Sequence, residues 1–333
     1  MAPALIQPEA TDFQDDYIIH RESKPTVYML DTFHPSAVQH AQNLFHVILP
    51  DDPQIHNWRE RAQYVLVRSS ALSAETIGAA RNLRAIGKQG VGIDKINEDA
   101  CKKRGIAILN TPGVNASAVA ELTLALTMAV ARDIGSIHGR MCQGQVVKKE
   151  ACSGLILSGK TIGLIGMGNI GKAVARMFHG AFAADIIAYD PYMPDDAWND
   201  LQHTRASSIE DVLVNADVLS IHVPLTPSTK GLIGYKEMQS MKSTAIIINA
   251  ARGGIVDEQD LVRAVQDGLI WGAGLDCHEQ EPPTKERYGE LWSTGRVLST
   301  PHIGAATSQT QMETAMAAVD RLYKFAGGIM SKQ

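Results

Sequence analysis

Short runs of Val and Ile, four or five residues long, recur along this chain with helix-length amphipathic stretches between them. Runs this short and this uniformly apolar suit strands buried on both faces of a parallel sheet, with helices covering those faces. Thr26–Leu30, Phe45–Leu49, Tyr64–Val67, the segment around Ile86 and Ile106–Leu109 read as such strands, with helices near Pro35–Gln42 and Ile96–Arg104. From Ser117 to Val147 the pattern changes to one long Ala- and Leu-rich helical stretch. A second alternation follows, with strands expected at Thr161–Ile165, Ile186–Tyr189, Val218–Val223, Thr244–Asn249, Ile270–Leu275 and Val297–Leu298. Its helices are expected at Asn169–Phe178, Ile209–Val214, Glu258–Gly268 and Thr307–Phe325. The chain of 333 residues is long enough for two domains, so the fold class is α/β, two doubly wound parallel-sheet domains with a cleft between them.

The second alternation opens with a more specific feature. The strand Thr161–Ile165 runs straight into Gly166-Met167-Gly168-Asn169-Ile170-Gly171, a G-x-G-x-x-G turn, and then into a helix. Gly166 permits the tight turn, Gly168 leaves room for a pyrophosphate, and Gly171 lets the helix pack on the strand. The free N–H groups of the helix N-terminus face the anion. The next strand closes at Asp190, close to the spacing at which an acidic residue accepts hydrogen bonds from the adenosine ribose, so the cofactor expected is NAD, not NADP. The same residues nearly spell a P-loop, but Ala173 follows Lys172 where a magnesium-binding hydroxyl is needed.

Three later segments carry what hydride exchange with a 2-keto acid requires: a cation for the carboxylate, an acid/base for the hydroxyl proton, and a group that sets the state of that acid. Arg252 follows a strand in Asn249-Ala250-Ala251-Arg252-Gly253-Gly254, where two glycines allow close approach. His302 stands in Thr300-Pro301-His302-Ile303-Gly304, and Glu281 in Asp276-Cys277-His278-Glu279-Gln280-Glu281-Pro282. Taken singly, each could be a surface Arg, a structural His or a solvated acid. Together they fall at the C-terminal ends of strands of one sheet, where ligands bind in such folds.

Composition narrows the class without deciding it. A hydrophobic share of 45% with 20% charged residues is that of an ordinary globular protein, and a net charge of −5 offers nothing to nucleic acid or an acidic membrane. The four cysteines include no C-x-x-C pair, which fits reduced thiols and neither a disulfide framework nor a zinc site; no metal is expected. Met1 to Tyr17 is acidic, lacks the basic and apolar regions of a signal peptide, and reads as a flexible lead-in. The tail Ser331-Lys332-Gln333 is not a peroxisomal Ser-Lys-Leu, and the sequon Asn115-Ala116-Ser117 reads as chance, so the cytoplasm is the expected location.

These motifs resemble the D-isomer-specific 2-hydroxyacid dehydrogenase family from about Val65 onward. The resemblance is carried by Gly90-Val91-Gly92-Ile93-Asp94, Asn115–Glu121, the Gly166–Gly171 turn, His222-Val223-Pro224-Leu225-Thr226, Asn249–Gly254, Gly274-Leu275-Asp276 and Thr300–Gly304. It implies a first domain built from both chain ends, residues 1–114 plus 307–333, with an NAD-binding domain of residues 115–306 inserted between them. It implies Arg252, Glu281 and His302 as the catalytic set. Gly166, Gly168, Asn169, Ile170, Gly171, Asp190, His222, Thr229, Ala250, Asp276 and Gly304 would meet the cofactor, Asp276 at the nicotinamide carboxamide. Arg68, Ser69, Val91, Gly92 and Asn115 would meet the substrate, and the Arg68-Ser69 pair resembles the phosphoglycerate dehydrogenase branch, here in a short form without its regulatory domain. The Ala-rich stretch from Ser117 to about Gly144 resembles the family's dimer arm, implying a homodimer. Two departures stand out: Lys88-Gln89 replaces the commoner Arg-Ala, so that Gln89 could alter the mouth of the pocket, and Lys95 follows Asp94 where Asn is usual. A formate dehydrogenase on the same scaffold would pair Gln with its His, where Glu281 stands here. An NAD-sensing corepressor would keep the catalytic residues but carry added interaction segments.

Overall fold

The structure, a computed structural model, describes residues 24–328, so the acidic lead-in and the tail tripeptide lie outside the described residues. The first part of the chain runs β1 (Thr26–Met29), α1 (Pro35–Leu44), β2 (His46–Ile48), α2 (Trp58–Arg61), β3 (Tyr64–Val67), α3 (Ala74–Ala79), β4 (Ala85–Lys88), α4 (Glu98–Lys103) and β5 (Ala107–Leu109). The five strands are all parallel in the order β2-β1-β3-β4-β5. Every side chain of β3 is buried, as a central strand between two layers demands.

The second part contains α5 (Ala116–Ala131), α6 (Ile134–Cys142), β6 (Thr161–Ile165), α7 (Asn169–Phe182), β7 (Asp185–Tyr189), β8 (Thr204–Arg205), α8 (Ile209–Asn215), β9 (Val218–Ile221), α9 (Tyr235–Gln239), β10 (Ile246–Asn249), α10 (Glu258–Gln266), β11 (Gly272–Leu275), α11 (Lys285–Ser293) and β12 (Val297–Ser299). Its seven parallel strands lie in the order β12-β11-β10-β9-β6-β7-β8, a doubly wound sheet that reverses direction between β6 and β9. A crevice at the C-terminal strand ends opens at such a reversal. The chain then returns: α12 (Ser308–Phe325) packs Ala315, Ala318, Val319 and Leu322 into the same core as Val27, Met29, Leu66 and Ala85 of the first sheet.

Two expectations need correction. The stretch from Ser117 to Val147 is not one helix. The chain turns at Asp133, whose φ of 52° leaves the right-handed helical region, and no helix continues from Cys142 to Val147. Asp tolerates that left-handed conformation better than the apolar residues around it. Gln89 does not reach the pocket mouth either. It is 7% exposed, and its Nε2 donates to Gln311 O and Thr314 Oγ1, both at 3.1 Å, tying β4 to α12.

Because α12 supplies one layer of the first core, deleting residues from Thr307 onward should unfold the first sheet, not trim a tail. The milder Leu322→Ala, at a fully buried position, should cost about 2–5 kcal/mol. Thermal unfolding checks both, and a deletion protein with an unchanged melting temperature would contradict the packing.

Candidate active site

The glycine turn has the shape its spacing implies. Gly166 takes φ 101°, and a Cβ there would stand 2.6 Å from His222 O, so no other residue fits. A Cβ on Gly171 would overlap the Gly166 carbonyl oxygen, while the space above Gly168 is open. Gly168 caps α7 without any side-chain hydrogen bond, leaving the first N–H groups of the helix for an anion. Asn169 is exposed beside Gly113, and Ile170 is half-buried. The Asp190 carboxylate accepts from Met167 N and Tyr192 N, both at 2.9 Å, which fixes it at the lip of the turn. Beside it the Arg205 guanidinium is engaged by the carbonyls of Asp190, Met193 and Pro194. On the other side of the turn, burial pushes the His222 imidazole down to about 3, so the ring is neutral. Its Nε2 bonds Ser220 Oγ at 2.9 Å, and its buried Nδ1 has no partner among the described residues. An open cradle, uncapped N–H groups and an orphaned ring nitrogen fit a dinucleotide. Ala250 is buried at the end of β10. The Thr229 hydroxyl donates to Pro224 O at 2.6 Å and serves its own turn.

His302 and Glu281 meet directly: His302 Nδ1 lies 3.0 Å from both carboxylate oxygens. Burial acts to raise the Glu281 carboxyl, but the His302 hydrogen bond and charge, together with the His278 N–H and charge, outweigh it and hold the group below the ordinary glutamate value. Its neighbour Glu279 pairs instead with Arg287 at 3.3 Å, so Glu281 is the carboxylate on His302. His302 takes φ 59°, a strained backbone for a residue with a Cβ. It is held there by its own N–H, which donates to Asp276 O at 2.7 Å. The buried Asp276 carboxylate accepts from Thr300 Oγ1 (2.6 Å), Ile303 N (2.7 Å) and Gly304 N (2.8 Å). Asp276 and Gly304, matched from sequence to the cofactor, therefore also build the loop that presents His302.

Arg252 reaches across to the first sheet. Its Nε donates to Asp94 Oδ2 at 2.9 Å and its Nη1 to Ala251 O at 2.6 Å, leaving Nη2 against the backbone of Gly92, where a Cβ would overlap it. Asn249 Nδ2 donates to Arg252 O at 2.8 Å and shapes the loop from within the core. The pair Gly253-Gly254 has a different reason than substrate approach: a Cβ on Gly253 would overlap the His278 backbone. Val91 O accepts from Asn110 Nδ2 at 2.7 Å, and neither the Val91 nor the Gly92 N–H has an acceptor among the described residues. The Arg68, Ser69 and Ser70 N–H groups all converge on Asp31 Oδ2. Lys88 Nζ donates to Arg68 O, and burial together with the Arg252 charge pushes its ammonium down to about 8. Asn115 starts α5 with its Oδ1 buried and unpartnered.

Sequence reasoning did not find Asp31 or Asn110, and it used Asp94 and Asn249 only as parts of motifs. Their roles are to place other residues, and a lone Asp or Asn after a strand reads as turn chemistry. Glu281 sets a testable pH dependence. Its folded value is depressed, so the pair's contribution to stability is present above the ordinary glutamate value of about 4.3 and is lost as pH falls through the folded value. The melting-temperature gap between wild type and Glu281→Gln should thus be wider above the ordinary glutamate value and narrow as pH falls through the depressed folded value. A gap independent of pH would sink the ion pair.

Comparison with known proteins supplies the family. The D-isomer specific 2-hydroxyacid dehydrogenase, NAD binding domain, matches residues 124–304. A hydroxypyruvate reductase of Thermotoga maritima is 41% identical over 79% of this chain and 84% of its own length. A D-3-phosphoglycerate dehydrogenase of Methanocaldococcus jannaschii is 36% identical over 81% of this chain but only 51% of its own length, so this chain spans about half of that relative. Among solved structures, the TT0316 protein of Thermus thermophilus superposes with a TM-score of 0.79 at 32% identity, covering 91% of this chain and 97% of that one. With the glycine turn, the His302–Glu281 pair and Arg252 all at strand ends of one doubly wound sheet, the chain belongs to the D-isomer specific 2-hydroxyacid dehydrogenase family and uses NAD.

Proposed function

We propose that this oxidoreductase reduces a short 2-keto acid, of the size of hydroxypyruvate or glyoxylate, to the D-2-hydroxy acid, with residues 115–306 as the NAD-binding domain and residues 1–114 plus 307–333 as the substrate domain. The observation that carries the mechanism is the Glu281–His302 pair at 3.0 Å. Nδ1 of His302 is committed to the carboxylate, so Nε2 is the atom left to give its proton to the substrate carbonyl oxygen. Glu281 fixes that orientation and stabilises the charged ring. Arg252, anchored through Nε to Asp94, offers Nη2 to the substrate carboxylate, beside the free N–H groups of Val91 and Gly92. When bound, the reduced cofactor NADH would supply the hydride for the alpha carbon and leave as NAD. Gly166, Gly168, Asn169, Ile170, Gly171 and Asp190 would hold its pyrophosphate and adenosine ribose, with His222, Thr229, Ala250, Asp276 and Gly304 farther along the crevice.

The size of the substrate rests on the relative with hydroxypyruvate in its name, which this chain covers over most of its length. A second reading, 3-phosphoglycerate, is favoured by the Arg68-Ser69 pair and by Lys88, whose ammonium donates to Arg68 O and feels the Arg252 charge. Glu281, an acid where formate dehydrogenase chemistry would use Gln, supports the keto/hydroxyl reaction over that relative, and the hydroxypyruvate reductase among the relatives supports an enzyme over a corepressor. Exposed Ile134, Met141, Val146 and Ile156 along and beyond α6 support a homodimer through this arm, and a cytoplasmic location is part of the same reading.

Steady-state NADH oxidation with hydroxypyruvate, glyoxylate and phosphohydroxypyruvate tests the substrate; turnover of none would overturn the proposal. His302→Ala should lower kcat by about 10²–10⁴ with little change in NADH affinity, whereas Arg252→Ala should raise the substrate KM as well. A His302→Ala enzyme with full turnover would remove it as the proton donor. NADH should be preferred over NADPH by more than about tenfold, since Asp190 would face the 2′-phosphate and Arg205 is already engaged. Equal kcat/KM for the two cofactors would count against Asp190.

A further inference from the structure

Beside the proton-transfer pair sits a group that the reaction does not use. Cys277 is 1% exposed, and its Sγ donates to Ala251 O at 3.4 Å. Its Sγ, a Glu281 carboxylate oxygen and a His302 ring nitrogen all lie within 4.8 Å of one another. Burial, with the Asp276 and Glu281 charges adding, pushes the thiol well above the ordinary cysteine value, so in the absence of a cation it is a neutral S–H. Thiolate, imidazole and carboxylate are together the ligand types of Zn²⁺. Tetrahedral bonds of about 2.0–2.3 Å set neighbouring ligand atoms roughly 3.3–3.6 Å apart. The Glu281–His302 separation of 3.0 Å is already near that, and the sulfur needs to close by at most about 1.5 Å. The side chains of Glu281 and His302 are 39% and 41% exposed, so an ion can reach them from the cleft while the sulfur closes the site from below.

We propose that Cys277, Glu281 and His302 form an inhibitory site for Zn²⁺ or a similarly soft divalent cation. The cation replaces the Cys277 thiol proton and, if it binds through Nδ1, the ring proton shared with Glu281; these protons go to solvent and no oxidation state changes. Bound at Nδ1 it breaks the Glu281–His302 hydrogen bond, and bound at Nε2 it takes the proton-donating atom itself. Either way the ring is silenced. Mg²⁺ and Ca²⁺, which prefer all-oxygen shells, should not compete. The inhibition rests on the reading of His302 as proton donor; the metal site does not.

Co²⁺ is the probe, because a thiolate–cobalt bond absorbs in the near ultraviolet. Titration of the full-length protein should give that band at about one equivalent, and the band should vanish in Cys277→Ser and in Cys277→Ala. It should persist in Cys142→Ser, the control for the exposed Cys142–His138 pair on α6. Zn²⁺ should inhibit NADH-dependent reduction reversibly to chelator, and its inhibition constant should rise at least about 100-fold in both Cys277 variants. No thiolate band in the wild type, or equal zinc inhibition in the variants, would overturn the site. Full turnover by His302→Ala in the same assay would instead overturn the proton-donor reading, while the cobalt band of the wild type would still stand for the metal site.

Discussion

The buried carboxylate of Asp276 is the interaction on which the site depends. It stands at the end of β11 and gathers Thr300 Oγ1, Ile303 N and Gly304 N, while its own carbonyl takes the N–H of His302. A charge with almost no contact with water is tolerable because three donors satisfy it, and charge-assisted bonds of this kind are strong. What they hold in place is a histidine with a left-handed backbone, a conformation that costs of order 1–3 kcal/mol and persists only when its surroundings over-determine it. Without Asp276 the loop would relax, and His302 would no longer be aimed at the cleft with its Nδ1 on Glu281.

The second constraint is the bridge between the two sheets. Arg252 leaves the end of β10 and is gripped by Asp94, which follows β4 in the other sheet. Asp94 is half-exposed, so in energy this ion pair is modest. Its importance is geometric: with Nε and Nη1 engaged, the guanidinium can turn only one edge toward Gly92, beside N–H groups that have no acceptor among the described residues. Any change in the relation of the two sheets moves Arg252 against Val91 and Gly92. Gln89 and the return of α12 to β4 stiffen the same side from behind.

The layered α/β plan, the glycine turn and the positions of the principal strands were legible in the sequence, because each depends on local pattern. A run such as Ile246–Asn249 can be buried on both faces only in a covered sheet, and Gly166 at φ 101° beside His222 O admits no side chain. The short helices α2, α3, α9 and α11 and the two-residue strand β8 were not legible. Elements of two to six residues, as α2, α3, α9 and β8 are, carry too little periodicity to separate from loop, and the nine-residue α11 buries only Tyr288 and Leu291. The same reasoning joined α5 and α6 into one helix, because apolar composition runs through a break that a single Asp makes.

Residue identity alone determined that Arg252, Glu281 and His302 were available, that a pyrophosphate cradle stood after β6, and that Asp190 followed it at the right distance. Only the tertiary structure decided who meets whom. It put Glu281, and not Glu279, on the His302 ring, turned Gln89 inward to α12, gave Gly253 a backbone to avoid, and set Cys277 beside Glu281 and His302. The reason is physical: the chemistry of a side chain and the period of a strand are local, whereas a hydrogen bond between residues 21 apart, or an ion pair between residues 158 apart, exists only once parallel strands have brought their ends together.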